Sequence, residues 1–176
     1  MPERFVKSLL LILFVLILNV GAAAQISCGL TNAPKLLNFN LGMSSAEAQM
    51  VVGKDLKIKV KQSGQRTFFQ NFIKKPAPNS LGGVRALYLR FLDNRLYQIE
   101  VFYEDQSGFQ TLADLTRNFS AAANLPAAIW QIKQNRAVIE CGTFRLTADR
   151  ILNPHFELTD EIARAKVEAM RKKTGE

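Results

Sequence analysis

The side chains that could carry out nucleophilic or metal chemistry are few in this sequence. His155 is the one histidine among 176 residues, and Cys28 and Cys141 are the two cysteines. A metal site would have to recruit carboxylates or thiols, because no histidine pair exists at ligand spacing. A Cys141–His155 nucleophile is formally possible, but a reactive thiol needs an exposed electropositive setting, and Cys141 ends an apolar run. We therefore interpret His155 as a surface residue beside a proline turn.

The motifs for phosphate binding and for a serine nucleophile are also missing. Leu81-Gly82-Gly83-Val84 lacks the spacing and the Lys-Ser/Thr pair of a phosphate-binding loop. Ser44 lacks the glycine two residues later that a nucleophile elbow requires. The carboxylate pair Glu104-Asp105 adjoins a predicted helix start and is typical of solvated loop charge. The sequence therefore predicts a protein that is not an enzyme and holds no metal and no cofactor. A hydrolase-type enzyme ranks third, after the two binding functions given at the end of this subsection.

The first residues predict export from the cytosol. Two basic residues precede an unbroken apolar run from Leu9 to Leu18, and Ala22-Ala23-Ala24 fits a small-residue cleavage site. This is the layout of a secretory signal peptide, which we assign to residues 1–24. An uncleaved membrane anchor is the alternative, although a bilayer span needs about 20 residues and this segment is shorter. We expect a periplasmic or secreted protein.

The two cysteines predict one disulfide bond. An even cysteine count in an exported chain favours a bridge, here between Cys28 and Cys141. Closing so long a loop stabilises a fold by up to ~4–5 kcal/mol. Two alternatives stay open. Gln25-Ile26-Ser27-Cys28 faintly resembles a bacterial lipoprotein box, in which Cys28 would be acylated, and both thiols could be free. We expect membrane contact only if the signal is uncleaved or Cys28 carries a lipid.

Positive charge is the strongest binding signal in the sequence. The formal net charge is +8, and the isoelectric point is about 9.7. Five lysines lie on a predicted strand and in a loop rich in proline and glycine: Lys57, Lys59, Lys61, Lys74 and Lys75. Such a face can bind an anionic lipid or glycan surface or an acidic envelope protein, whereas nucleic acid is not an expected partner. A solvated outer face that binds nothing is the alternative.

The elements that would position these residues follow from periodicity. Leu36–Leu41 alternates as a strand, and Ser44 to Glu47 forms a capping box for a helix that ends at Gly53. Leu56–Lys61 and Thr67–Ile73 also alternate with the period of strands. A second capping box predicts a further helix. The remaining predicted elements are that helix from Ser107 to about Asn124, strands at 137–141, 143–148 and 155–159, and a charged helix at 160–173.

Two alternating runs on either side of Asp93-Asn94 predict a β-hairpin. A two-residue loop would place Leu89 opposite Gln98 and so mix apolar with polar side chains. A three-residue loop, Asp93-Asn94-Arg95, separates the two kinds of side chain onto opposite faces, and we predict this register. The predicted pairs are Phe91–Tyr97, Leu89–Ile99, Leu87–Val101, Arg90–Gln98 and Tyr88–Glu100.

These elements predict an α+β fold after a lead-in at residues 25–35. We expect residues 36–176 to form a single domain with an antiparallel β-sheet of five to seven strands. Two main helices would pack on one face of the sheet, and a short helix would end the chain.

The first part of this domain resembles a known family. Phe39 to Glu47, closing at Val51-Val52-Gly53, is similar to the strand, Gly-Met-(Ser/Thr)-x-x-Glu, helix, Leu-Leu-Gly opening of BamE/SmpA-like small envelope domains. The resemblance covers residues 36–103 and implies helices packed on an antiparallel sheet in the cell envelope. From the predicted export and the missing catalytic motifs, we predict an exported, non-catalytic interaction or scaffold module of the cell envelope or secreted space. The alternative is a ligand-binding or inhibitor-like domain that uses the basic strand and loop.

Overall fold

The computed structural model describes residues 28–53, 58, 64–73, 77, 81–104, 109–151 and 153–174. The predicted signal peptide at residues 1–24 lies outside this part of the chain. The same holds for the strand predicted over residues 56–61, of which only Ile58 is described, and for all five lysines of the predicted basic face.

Over these described ranges the fold is α+β, with a seven-stranded antiparallel sheet and three α-helices. The predicted class and strand number are thereby confirmed. The strands are β1 (Gln65–Asn71), β2 (Val84–Leu92), β3 (Arg95–Tyr103), β4 (Gln131–Lys133), β5 (Arg136–Cys141), β6 (Phe144–Asp149) and β7 (His155–Asp160). The helices are α1 (Ser45–Val52), α2 (Leu112–Ala123) and α3 (Glu161–Thr174), and a 3₁₀ turn covers Ala127–Ile129.

The strand order in the sheet is β1-β2-β3-β7-β6-β5-β4, and all neighbours are antiparallel. Strands β1 to β3 follow one another directly, and so do β4 to β6. The last strand, β7, lies between β3 and β6 and joins these two groups. Helix α2 lies in the connection that takes the chain from β3 to β4.

The two faces of the sheet differ in composition because side chains alternate along each strand. One face carries a row of apolar residues, which we call the aliphatic face: Phe68, Leu89, Ile99, Leu158, Leu146 and Ile139, in spatial order. The last five of these are fully buried. The opposite face, which we call the polar face, carries Tyr88, Arg90, Glu100 and Glu157 at the intervening positions.

Two buried clusters hold the helices to the sheet. The main cluster contains the aliphatic face together with Ala48 and Val52 of α1 and Leu115 of α2. A second, small cluster contains Leu92 and Tyr97 of the sheet and Val167 of α3. The helices therefore contribute to separate cores, α1 and α2 to the first and α3 to the second.

The predicted strand at Leu36–Leu41 is wrong. Leu36 and Phe39 form a tight turn in which each amide donates to the other's carbonyl, at 3.1 and 3.0 Å. Leu37 and Asn38 between them have positive φ angles of 52° and 66°. Leu36 and Phe39 are both buried, whereas residues three positions apart would lie on opposite faces of a strand. The turn overrides the alternation because it directs its first and last side chains into the main cluster.

The capping box of α1 is confirmed. The Glu47 amide donates to Ser44 Oγ at 3.2 Å, and the Ser44 amide donates to Glu47 Oε2 at 2.7 Å. The Ser44 hydroxyl also donates to Glu47 Oε2, at 2.8 Å, and the two hydrogen bonds from the Ser44 amide and hydroxyl hold the pKa of Glu47 below its ordinary value because they favour the ionised carboxylate. The helix ends at Gly53, as predicted, with φ of 74°.

The helix predicted from Ser107 begins later in the structure. Helix α2 starts at Leu112, and its capping box is formed by Thr111 and Asp114. Phe109 lies before the helix, where Arg150 Nε donates to its carbonyl at 2.6 Å and its ring meets Tyr103 edge-on at 5.4 Å. These two contacts hold Phe109 outside the helix, and the local pattern could not reveal the one with Arg150, which is 41 residues away.

The β2–β3 hairpin has a two-residue turn, so the predicted three-residue loop is wrong. Asp93 and Asn94 have φ of 48° and 59°, the positive values that a type I′ turn requires. Tyr97 is an extra residue in β3, so Phe91 pairs with Leu96 instead of Tyr97. The other four predicted pairs are confirmed: Leu89–Ile99, Leu87–Val101, Arg90–Gln98 and Tyr88–Glu100. The bulge restores the separation of apolar and polar side chains that the short turn alone would lose.

The predicted disulfide is confirmed between Cys28 and Cys141, whose Cα atoms are 5.3 Å apart. Both sulfur atoms take part in this bond. Cys28 is therefore not available for acylation, and Cys141 is not available as a nucleophile paired with His155. In the portion of the chain that the structure covers, no helix combines the length and apolar character needed to cross a bilayer.

Candidate functional site: the polar face of the sheet

The polar face consists of three rows of side chains that cross the sheet from strand to strand. Directly opposed residues on neighbouring antiparallel strands lie on the same face. The rows are Phe69, Tyr88, Glu100, Glu157, Thr147 and Val138, then Thr67, Arg90, Gln98, Thr159, Arg145 and Glu140, then Ala86, Phe102, His155, Asp149 and Arg136.

Two carboxylates face each other near the centre of this surface. Glu100 of β3 lies directly opposite Glu157 of β7, an arrangement in which like charges repel. Burial and then the charge of Glu157 raise the pKa of Glu100 above its ordinary value, although Arg90 and His155 act in the other direction. A carboxyl group that is desolvated and repelled in this way gains from the approach of a proton or another cation.

A chain of hydrogen bonds holds one of these carboxylates more firmly than the other. Arg90 Nη1 donates to Gln98 Oε1 at 2.6 Å, and Gln98 Nε2 donates to Glu157 Oε1 at 2.5 Å. Thr159 Oγ1 donates to the same Glu157 oxygen at 3.0 Å. Glu100 instead has a long ion pair, with 3.8 Å between its Oε2 and Arg90 Nη2. Glu100 is therefore the carboxylate with the weaker protein partner.

A row of aromatic rings runs beside the carboxylates from β1 to β7. Phe69 stacks on Tyr88 with centroids 4.3 Å apart, and Phe102 stacks on the imidazole of His155 at 4.8 Å. Tyr88 and Phe102 meet edge to face at 5.9 Å, which joins the two pairs. The guanidinium carbon of Arg90 lies 5.9 Å from the centroid of the Tyr88 ring. Rings next to carboxylates form a setting that attracts cations.

The charges toward β4 and β5 are matched, in contrast with those at the centre. Glu140 pairs with Lys133 at 2.9 Å and with Arg145 at 3.5 Å, and the hydrogen bond from Lys133 lowers the pKa of Glu140. Asp149 is buried and pairs with Arg136 at 2.6 Å. Among the described residues of the polar face, the Glu100–Glu157 pair is thus the place where charge is least compensated, and we take it as the candidate site.

His155 lies within this surface rather than isolated beside its turn. It is half-buried, it stacks on Phe102, and its Nδ1 lies 3.2 Å from the carbonyl oxygen of Asn153. Sequence reasoning missed its neighbours Glu100 and Glu157 because they meet only through the pairing of β3 with β7. Among the described residues, no group of three or more His, Cys, Asp or Glu side chains is placed to hold a metal ion.

Comparison of the chain with protein-family models, with curated proteins and with solved structures found no match. The similarity of residues 36–103 to BamE/SmpA-like domains therefore stays a prediction from the sequence. The binding role of Lys57, Lys59, Lys61, Lys74 and Lys75 also stays a prediction, since these residues lie outside the described part of the chain.

Proposed function

We propose that this protein is a non-catalytic interaction module whose polar face binds a lysine- or arginine-bearing segment of a partner protein. The observation that carries the proposal is the pair Glu100–Glu157, whose mutual repulsion is opposed, within the described residues, by Arg90 at 3.8 Å, by the nearby His155 and by neutral hydrogen-bond donors. A cation from a partner relieves this repulsion. The same cation can also form cation–π contacts with the rings of Tyr88 and Phe102, which lie on the same surface.

Arginine suits this surface better than lysine. Its planar guanidinium can donate two parallel hydrogen bonds to one carboxylate and can stack on an aromatic ring. Its aliphatic stem covers apolar surface such as the ring of Phe69, which is 49% exposed. A single extended segment with alternating arginines could therefore engage both the carboxylates and the row of rings.

The proposal requires that the centre of the polar face stay accessible. In this proposal α1 and α2 both cover the aliphatic face, because Ala48, Val52 and Leu115 share its buried cluster. Helix α3 packs against Leu92 at the end of β2 and pairs Glu161 with Arg145, so it covers the polar face on the side of the Gln98–Thr159 row and leaves the Tyr88–Glu100 row beside it. The exposed fractions of the Arg90 and Glu100 side chains, 31% and 18%, leave both within reach of a partner.

The proposed place of action is outside the cytosol. The signal peptide predicted at residues 1–24 and the Cys28–Cys141 disulfide support an oxidising compartment, since such bonds persist there. The five lysines named above provide a second proposed contact, with an anionic lipid or glycan surface, so that one module could hold a basic partner against an acidic surface.

A hydrolase-type enzyme is the competing function. A carboxyl group with a raised pKa beside a second carboxylate is also what general acid catalysis uses. An enzyme would need a cleft that encloses a substrate over Glu100. The rings and ion pairs of the polar face instead lie in rows across the strands, which suits a surface that binds an extended segment.

Peptide binding tests the proposal. We expect a basic peptide to bind the polar face, and its binding to weaken with added salt because exposed charges are screened, whereas an acidic peptide of equal length can bind only at the proposed lysine surface. Fluorescence anisotropy of labelled peptides would measure these affinities. The double variant Glu100→Gln/Glu157→Gln should weaken binding of the basic peptide several-fold.

The matched control is the double variant Glu104→Gln/Glu168→Gln, which removes two negative charges at exposed positions outside the carboxylate pair. It should bind the basic peptide as the unmodified protein does. Equal loss of basic-peptide binding in both double variants would reduce the effect to net charge and would contradict a specific site, as would an equal loss of acidic-peptide binding in Glu100→Gln/Glu157→Gln.

A further inference from the structure

A cavity of about 460 Å³ lies away from the carboxylate pair, between the segment that precedes α1 and the junctions at the start of β6 and the end of β7. Lys35 and Asn40 line it from the segment, and Thr143 and Asp160 line it from the sheet. Its volume is in the range of small-molecule sites, which run from about 300 to 1,000 Å³. Neither Glu100 nor Glu157 lines this cavity, so a ligand bound there would be independent of the proposed function of the polar face.

The two charged side chains that line this cavity, Lys35 and Asp160, do not form an ion pair with each other. Lys35 is exposed, and it forms no ion pair with Asp160 or with any other described residue. Asp160 uses one oxygen, Oδ1, to accept from the Ala163 amide at 2.8 Å at the start of α3. Its other oxygen has no hydrogen-bond donor among the described residues. The Lys35 ammonium and one oxygen of the Asp160 carboxylate thus lie on two different walls of the cavity, and both can bind a ligand.

Both walls are fixed before any ligand arrives. The disulfide to Cys141 anchors the segment at Cys28, and the Leu36–Phe39 turn is buried in the main cluster. On the opposite wall, the Glu161 amide donates to the carbonyl of Thr143 at 3.0 Å. The backbone of both walls is thus ordered before binding, which lowers the entropy cost of binding to that of immobilising the ligand and the Lys35 side chain.

We infer that this cavity binds a small zwitterion, a free α-amino acid. The ligand carboxylate binds the Lys35 ammonium, and the ligand ammonium binds the unused oxygen of Asp160. The Asn40 amide and the Thr143 hydroxyl orient the ligand between them, and Leu41 at the edge contacts its side chain. A ligand with one charge leaves either Lys35 or Asp160 facing a neutral or like-charged group, so the site discriminates against plain anions and plain cations.

NMR titration with free L-amino acids tests this inference. We expect saturable shift changes at residues of the cavity with at least one of the twenty amino acids. The amide and the N-acetyl derivative of that amino acid each lack one charge, and each should bind about tenfold or more weakly, as expected when a charge-assisted hydrogen bond is lost.

Substitutions locate the binding groups. Lys35→Ala and Asp160→Asn should each weaken binding about tenfold or more, since each removes one charged contact. Asparagine is also a good helix cap, so Asp160→Asn keeps the start of α3. Lys166→Ala on the exposed side of α3 is the matched control and should bind normally. Circular dichroism would verify that each variant is folded. Absence of shift changes with all twenty amino acids, or normal binding by Lys35→Ala, would overturn the inference.

Discussion

Asp149 and Glu100 are acidic residues of the same sheet face, yet their surroundings differ. Asp149 is almost fully buried, and its two oxygens accept from Arg136 Nε at 2.6 Å and from the Ile151 amide at 2.7 Å. Glu100 is less buried but has a second carboxylate opposite and a cation only at 3.8 Å. Partners rather than burial therefore separate the structural carboxylate from the candidate binding carboxylate.

The substitution Glu100→Gln should stabilise the protein at neutral pH. A carboxyl group whose folded pKa is raised contributes most to stability below its unfolded value, near 4.5, and this contribution is lost as the pH rises through the folded value. Glutamine removes the repulsion, so we expect a gain of about 0.2–1 kcal/mol at pH 7. It should also give a flatter pH dependence above pH 4.5, measured by urea unfolding over a pH series.

Glu104→Gln is the control for this change, because Glu104 is exposed directly after β3 and does not face Glu157. It should leave both the stability and its pH dependence close to those of the unmodified protein. Destabilisation by Glu100→Gln at neutral pH would mean that the ion pair with Arg90 outweighs the repulsion.

The part of the candidate site on β2 and β3 could be predicted from the sequence, but the part on β7 could not. The facing pairs Arg90–Gln98 and Tyr88–Glu100 followed from alternation around the hairpin, because a wrong register would expose apolar side chains. Glu157 could not be added, since its strand lies far along the chain and pairs with β3 only through the strand order. No local pattern records which strands become neighbours when they are distant in sequence.

At the scale of elements, the β2–β3 turn serves more than its own hairpin. Asn94 Oδ1 accepts from the Ser45 amide at 3.1 Å at the start of α1, and Asp93 Oδ1 accepts from the Gly64 amide at 2.9 Å just before β1. The bulged residue Tyr97 packs against Val167 of α3. Periodicity predicted most of these elements, whereas the turn length and the bulge were set by contacts with other elements.

The start of α2 gives a test at this scale. Thr111→Ala removes the hydroxyl that accepts from the Asp114 amide at 3.0 Å, and loss of such a cap lowers the free energy of unfolding by about 0.5–2 kcal/mol. Thr111→Ser keeps the hydroxyl and should retain most of the stability. Chemical denaturation of both variants would measure the difference, and equal losses would show that the methyl group rather than the cap matters.

The same cap has a pH dependence of the opposite sign to that of Glu100. Hydrogen bonds from Thr111 lower the pKa of Asp114, so this carboxylate contributes stability above its ordinary pKa and loses that contribution as the pH falls through the folded value. The difference between Thr111→Ala and the unmodified protein should therefore shrink in acid.

For the whole molecule, the disulfide joins residues that are 113 positions apart. Removing a bridge across so long a loop costs about 2–5 kcal/mol. We expect the double variant Cys28→Ser/Cys141→Ser to lose stability in this range in urea unfolding. Dithiothreitol should have the same effect on the unmodified protein and none on the double variant. Unchanged stability after complete reduction would contradict this expectation.

The central position of β7 also has a consequence for synthesis of the chain. A ribosome releases the polypeptide from its amino end, so the strands on both sides of the gap emerge before the strand that fills it. Until residue 160 is out, β3 and β6 each present unpaired backbone groups that could pair with another nascent chain. The sheet therefore cannot be completed before β7 is available, and a holding chaperone would be most useful in the interval before it.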